Sequence, residues 1–322
     1  MRTSPRKASR APQKPKAPRV KRRLCILSRK RSLYSTSRLV EAARKAGVHP
    51  LVLDTLRCTL KLELNGPQMF YRGAQVKDLE VAIPRIGSSI TQFGMAVVNH
   101  LSTMGVPVVN EAPAIARSRD KLRGLQLLAG AGIDIPRTVM ARHGADIEAM
   151  VEEVGGLPAI VKLLRGTQGV GVMLATTLAE VRTIVATFWD LDQEILIQEF
   201  VQESKGKDVR ALVVGDEVVG AMRRTARKGE FRSNIHRGGE GKLIRLPKDY
   251  AAVAVRAARV IGLDVAGVDM LEATAGPKVM ELNSSPGFEG LELATGKDIA
   301  GAIVGYSLEK ARLAHIGPRP SL

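Results

Sequence analysis

The segment AGVDMLEATAGPKVMELN, from Ala266 to Asn283, reads as two short apolar strands closed by a turn. The strands run from Ala266 to Leu271 and from Lys278 to Asn283, with Ala-Gly-Pro at 275–277 supplying the turn chemistry. Side chains alternate along a strand, so Glu281 and Asn283 leave the same face. Asp269, on the preceding strand, can reach that face. Two carboxylates and an amide oxygen are hard donors suited to Mg²⁺, and a Glu between two neighbours can bridge two ions. A single acid on a strand is usually just solvated. Three acceptors converging beside Val268, Met270, Val279 and Met280 are harder to explain that way.

The same hairpin pattern recurs upstream. Ala159 to Leu163 pairs with Val172 to Ala175, and Val209 to Val214 pairs with Val218 to Arg224 through a Gly-Asp turn at 215–216. Helical spacing from Leu178 to Phe188 and from Asp249 to Ile261 separates these hairpins, which predicts an α+β unit over 121–313. Residues 24–120 differ. Short strands at Leu24 to Ser28, Leu51 to Leu53, Val81 to Pro84 and Val106 to Val109 alternate with helices at Ser35 to Ala46 and Gln92 to Met104. That alternation predicts a parallel α/β sheet with crossover helices. A helix from Arg119 to Ala131 and a turn at Gly132 to Pro136 join the two units.

Composition narrows the class. The chain has 322 residues, 45% of them hydrophobic, enough for about two domains at roughly 150 residues each. Its two cysteines, Cys25 in a predicted buried strand and Cys58 in a loop, form no disulfide framework or C-x-x-C motif. The longest stretch without Asp, Glu, Lys or Arg, Ile86 to Asn110, is too polar to span a membrane. A cytoplasmic, soluble enzyme is the class that fits. Of the net charge of +17, ten Lys and Arg lie in residues 1–23 with no acid and four prolines. That segment reads as a disordered basic arm, because it has too little apolar surface to offset its ordering entropy. It could contact RNA or a ribosome by neutralising phosphates, or act only as a solubilising tail. Residues 314–322 read as a short tail.

Other candidates lie along the chain. Lys162 precedes GTQGVG, in which Gly166, Gly169 and Gly171 would let backbone N–H groups approach phosphate. The string is neither a Walker A loop nor a dinucleotide fingerprint, since a strand follows it. Lys162 and Lys121 supply point charges for phosphate. Glu199 and Phe200 end a strand beginning at Ile195 and could meet an adenine edge and ribose hydroxyls. Asp208 and Arg210 share a strand face. Arg232, Ser233 and Asn234 lie in a basic loop, FRSNIHRGG, that could order over anions, with Arg223 and Arg224 shortly before it. His236 is tempting as a base, although a lone His is more often structural.

Taken in this order, the strings resemble the RimK family of ATP-grasp ligases. They are SRKRSLYS (28–35), IPRIG (83–87), RDKLR (119–123), VKLLRGTQGVGV (161–172), DVRALVVGDEV (208–218), FRSNIHRGG (231–239), AGVDM (266–270) and MELNSSPG (280–287). The resemblance runs from about Leu24 to Leu313. It implies a Rossmann-like pre-ATP-grasp domain followed by an ATP-grasp fold of two subdomains, and an even-numbered homo-oligomer, a tetramer. It implies that Lys121 and Lys162 hold ATP phosphates under a glycine flap, and that Glu199 and Phe200 bind adenine mainly through backbone. Many relatives have Tyr where this chain has Phe200. Asp208 would complete the nucleoside pocket, and Arg232, Ser233 and Asn234 would lie along the nucleotide. Asp269 and Glu281 would hold one Mg²⁺ or Mn²⁺, and Glu281 and Asn283 a second.

The implied reaction adds glutamate to the C-terminus of the sixth small-subunit ribosomal protein through an acyl phosphate, giving ADP and phosphate. Its oxyanion would be met by a cation, Arg223, Arg224 or Arg232. A small-metabolite or peptide acceptor is the alternative of the same chemistry. A ribosome- or RNA-binding protein without catalysis is the alternative of another class, opposed by the intact Lys162, Asp269, Glu281 and Asn283.

Overall fold

Strand β1 (Arg23–Leu27) begins at the last residue expected for the basic arm and is buried from Leu24 onward. The computed structural model describes residues 23–140, 142, 146–164, 171–227, 229–231, 233 and 239–316. The arm through Arg22 and the tail from Gly317 therefore lie outside it. Helix α1 (Tyr34–Lys45) follows, burying Leu39, Val40 and Ala43, and leads to β2 (His49–Leu53). Next come β3 (Cys58–Lys61), β4 (Gln68–Tyr71), β5 (Ala74–Gln75), β6 (Leu79–Pro84) and α2 (Thr91–Thr103). Strands β2, β1 and β6 form a parallel sheet in that order, as the alternation of strands and helices predicts.

Three details depart from the sequence reading. Val106 to Val109 is no full strand: only Val108 bridges Ala82, although Pro107 O and Val109 N also bond Ala82. Cys58 is not in a loop; it starts β3, within an antiparallel β3-β4-β5 sheet whose short strands carry little periodic signal. Burial raises the Cys25 thiol and lifts that of Cys58 to about 11, so both stay protonated and inert. The expected helix from Arg119 to Ala131 is two helices, α3 (Ala112–Arg119) and α4 (Lys121–Gly130). Asp120 breaks them with an extended ψ of 102°, and its carboxylate accepts from Arg123 N at 2.9 Å, capping α4.

Beyond α4 the chain makes two antiparallel sheets. The first takes β7 (Thr138–Val139), α5 (Ile147–Glu153), β8 (Ala159–Leu163), β9 (Val172–Ala175), α6 (Leu178–Asp190) and β10 (Ile195–Glu199), in strand order β7-β10-β8-β9. A capping box between Thr177 and Glu180 starts α6. The second takes β11 (Lys207–Val214), β12 (Glu217–Thr225), β13 (Glu240–Leu243), α7 (Lys248–Ile261), β14 (Val265–Ala273) and β15 (Gly276–Asn283). Its order is β13-β12-β11-β14-β15. All three hairpins expected from the sequence are present. Val209, Ala211, Val213, Val268, Met270, Val279 and Leu282 turn one face of this sheet onto α7.

The chain ends with α8 (Glu289–Thr295) and α9 (Ile299–Ile316), and α9 returns to the first domain. Its Ile303, Val304 and Ala311 share a core with Leu39, Val40 and Ala43 of α1 and Ile83 of β6. Burying each such Ile or Val contributes about 1.5–3 kcal/mol. Polar contacts fix the seam. Arg38 donates to Glu292 at 2.8 Å and Asp298 at 2.9 Å, and Tyr34 donates to Glu292 at 2.8 Å. Asn110 donates to Val265 O at 2.7 Å and Ser284 O at 2.9 Å, and accepts from Val265 N at 2.8 Å.

Candidate active site

Asp269 and Glu281 are register partners across β14 and β15, and Gly267 is opposite Asn283. A bulge between Asp269 and Met270 leaves Met280 without a partner. That extra residue lets Val279 and Leu282 both face the α7 core while Glu281 and Asn283 face away from it, with Asp269. A cleft opens on that side, between the two antiparallel sheets. Lys278 of β15 crosses it to Glu199 of β10 at 2.8 Å, and Lys121 donates to Leu163 O at 2.9 Å.

The carboxylates in the cleft are not equivalent. Asp269 is buried and accepts two bonds from Arg210, both 2.6 Å, and one from Arg224 at 2.9 Å. Burial raises its pKa, but these two guanidiniums prevail and hold it below the ordinary carboxylate value. Arg224 also grips Asp208 at 2.6 and 2.7 Å, and Ser233 donates to the same carboxylate at 2.5 Å. Asp208, Arg224, Asp269 and Arg210 thus form one largely buried chain of alternating charge, ended at Asp208 by the Ser233 hydroxyl. Glu281 receives no hydrogen bond from any described residue. The protein packed around it and the nearby Asp269 charge raise its pKa, although the residue is exposed to solvent in the cleft. Lys121, Lys162, Arg210 and Arg224 all lie close enough to feel or oppose its charge.

The donor set fits a divalent cation. A carboxylate without a donor, beside a second carboxylate and the amide oxygen of Asn283, is a hard-oxygen arrangement that a cation would complete. Among the described residues no three His, Cys, Asp or Glu come together, so water and phosphate oxygens would fill the remaining positions. Asn283 Oδ1 also accepts Ser285 N at 3.0 Å, which fixes its orientation.

Lys162 donates to Gln198 at 2.5 Å and is half-buried on β8. Burial lowers its pKa to about 8, partly opposed by Glu281. A lysine with a folded value below the unfolded one binds fewer protons when folded. The cost of burying its charge is therefore full below pH ~8 and vanishes as pH rises from ~8 to ~10.4. Anionic phosphates placed beside it would restore the charge. ATP binding near pH 9 is thus expected to take up a fraction of a proton, up to about one per site, read by calorimetry in buffers of different ionisation enthalpy. Equal uptake by Lys162→Met would contradict this.

The remaining candidates divide. Glu199 is occupied: its carboxylate accepts from Lys278 and from Arg137 N at 2.9 Å, and its own N–H donates to Arg137 O at 2.8 Å. Phe200 follows β10 and is half-buried. Gly171 has φ +74° and a Cβ there would lie 2.5 Å from Leu163, so only glycine fits at the entry to β9. Gly166, Gly169, Arg232 and Asn234 lie outside the described residues. Arg223 is not brought to the others. It lies on the α7 face, paired with Glu272 at 2.6 and 2.8 Å, because neighbours in a strand point to opposite sides. Arg224 is in the cleft but spends its donors on two carboxylates, so it positions them rather than offering a free cation. Arg210, read from the sequence only as sharing a strand face with Asp208, proves to be a bidentate partner of Asp269.

Residues 118–306 match the RimK-like ATP-grasp domain, and residues 23–115 match the RimK pre-ATP-grasp domain. A probable alpha-L-glutamate ligase of Vibrio parahaemolyticus is 50% identical over 290 residues, covering 90% of this chain and 96% of its own. A protein of the same description from Pseudomonas aeruginosa is 49% identical over 294 residues, covering 91% and 97%. Among solved structures, the ATP-grasp ligase PsnB with a minimal precursor superposes with a TM-score of 0.70 at 24% identity, over 90% of this chain and 100% of that one. D-alanine–D-alanine ligase from Bacillus anthracis, complexed with ATP, gives 0.62 at 17%, over 92% and 99%.

Proposed function

Because the chain belongs to the RimK family of ATP-grasp ligases and so forms carbon–nitrogen bonds, we propose that it joins glutamate to the C-terminal carboxylate of a small-subunit ribosomal protein, the sixth, at the expense of ATP. The observation that carries the chemistry is the meeting of Asp269, Glu281, Lys121 and Lys162 in one cleft. Relatives named as glutamate ligases along nearly their whole length support glutamate as the nucleophile. The excess of Lys and Arg supports an acidic or RNA-borne acceptor, with the basic arm as its contact. The same reading takes residues 24–120 and 121–313 as the two domains, the assembly as a tetramer and the location as cytoplasmic. Among the described residues no helix is long and apolar enough to cross a membrane.

A carboxylate resists an amine because oxide is a poor leaving group. Moving the γ-phosphoryl group of ATP onto it gives an acyl phosphate, whose leaving group is phosphate. Two Mg²⁺ or Mn²⁺ ions held by Asp269, Glu281 and Asn283 would neutralise triphosphate charge. Lys121 and Lys162 hold the phosphates, as phosphoryl transfer depends on positioning and charge. Glu199, Phe200 and Asp208 take the nucleoside, with Arg232, Ser233 and Asn234 along it. Arg224 keeps Asp208 and Asp269 in register. The glycine flap over Gly166, Gly169 and Gly171 excludes water from the acyl phosphate. The glutamate amine then attacks, and Arg232 meets the oxyanion.

The test is incubation with ATP, Mg²⁺, glutamate and candidate acceptors, following ADP release and the mass gain of a glutamyl residue. ADP release with glutamylated ribosomal protein is the expected result. Modification of a small-molecule carboxylate alone would move the acceptor, and absence of ADP with every acceptor would sink the ligase reading.

A further inference from the structure

Arg85 is a cation without a counter-charge. It is the central residue of the IPRIG string, just past β6, at the C-terminal edge of the parallel sheet, where open α/β sheets bind their ligands. It is half-buried, its Cζ lies 5.8 Å from the ring centre of Phe288, and Nη2 donates to Pro286 O at 2.7 Å. No carboxylate pairs with it among the described residues. Burial alone lowers its pKa, to about 10, with no acid offsetting the cost. Arg119 is in the same position. It donates to the carbonyl of Ile86, the next residue after Arg85, and burial lowers it too, with no described carboxylate paired to it. Each guanidinium has five donors, and these contacts use one on each.

Their neighbourhood is the reaction site. Pro286 lies three residues beyond Asn283, a backbone path of at most about 11 Å. It also folds back on Gly267, where a Cβ would lie 2.9 Å from the Pro286 ring, and Gly267 is opposite Asn283. Dehydrated guanidiniums this close to a reacting centre need an anion that is not consumed. The acceptor's carboxylate becomes the acyl phosphate. An amino acid reacting through its amine keeps its carboxylate, and glutamate keeps two. We infer that Arg85, assisted by Arg119, binds a carboxylate of the incoming amino acid. This rests on the ligase reading above and names its amino-acid subsite.

The test compares wild type with Arg85→Lys and Arg85→Met for KM of glutamate, KM of acceptor, ATP affinity and unfolding midpoint. It adds the shift of that midpoint caused by glutamate in the presence of a non-hydrolysable ATP analogue, which requires no turnover. Arg85→Met is expected to raise KM for glutamate at least tenfold and abolish the glutamate-dependent shift, leaving ATP affinity unchanged. Arg85→Lys, which keeps charge but not the fork, should fold normally and fall between. γ-Aminobutyrate, which lacks the α-carboxylate, and glutamine, which lacks the side-chain carboxylate, identify the group held: discrimination against one of them should collapse in Arg85→Met. Wild-type turnover with KM for glutamate unchanged in both variants overturns this inference alone. A rise confined to the acceptor KM overturns it in favour of the acceptor. Neither turnover nor a glutamate shift in wild type removes the ligase reading and this subsite together.

Discussion

Glu281→Gln is expected to lower ligation at least about 10³-fold, equivalent to roughly 4 kcal/mol of lost transition-state stabilisation. The substitution keeps the shape of the side chain and removes one charge. Glu281 is the carboxylate in the cleft that receives no hydrogen bond from a described residue, and it sits opposite Asp269, whose charge is already matched by Arg210 and Arg224. A cation shared by both strands therefore depends on Glu281 for its unmatched negative charge. Folding should not suffer. Like-charge repulsion from Asp269 disappears, so the unfolding midpoint without nucleotide should be unchanged or raised. Phosphate release, Mg²⁺ dependence and thermal unfolding on the same preparation separate the two effects. Near-normal turnover would remove Glu281 from metal binding; a fall in midpoint would mean that its charge stabilises the cleft.

Asn110→Ala is expected to cost about 3–5 kcal/mol of folding stability, since unpaired buried polar groups cost about 1–3 kcal/mol each. Asn110 is 1% exposed and makes three hydrogen bonds, to Val265 O, Ser284 O and Val265 N. Alanine leaves all three backbone groups without their partner inside the seam between the domains. The Ser284 bond also anchors the loop that carries Pro286, so KM for glutamate should rise even where the variant remains folded. Denaturant unfolding measures the first effect and steady-state kinetics the second. A loss below about 1 kcal/mol would mean that water replaces the amide, as can happen where a small polar side chain is removed.

The donor triad was legible because alternation along a strand is local. Glu281 and Asn283 both lie beyond the Met280 bulge, so their common face holds whether or not the bulge is foreseen. Alternation along the strand expected from Val218 to Arg224 also separates Arg223 from Arg224, which the sequence reading nonetheless treats as one basic pair. The break at Asp120 is absent from the sequence reading because helical spacing continues on both sides of it; its capping role shows only in the bond it accepts from Arg123 N. Strands β3 to β5 were missed because two to four residues, partly exposed, show no period. The charge of Arg224 was visible, but not its engagement. That follows from the register of β12 on β11, which places Arg224 opposite Asp208 and within reach of Asp269.

From its own order of residues the chain determined where strands turn, which side chains share a face and which groups can hold phosphate or a hard cation. These depend on backbone sterics and side-chain chemistry over a few residues. Tertiary structure alone decided that Arg210 and Arg224 match Asp269 while Glu281 stays open, and that α9 returns to seal the domain seam. It also decided that Arg85 stands beside Pro286 with no carboxylate paired to it among the described residues. Each of these joins residues tens to hundreds of positions apart, and only the packing of the cores brings such groups within reach of one another.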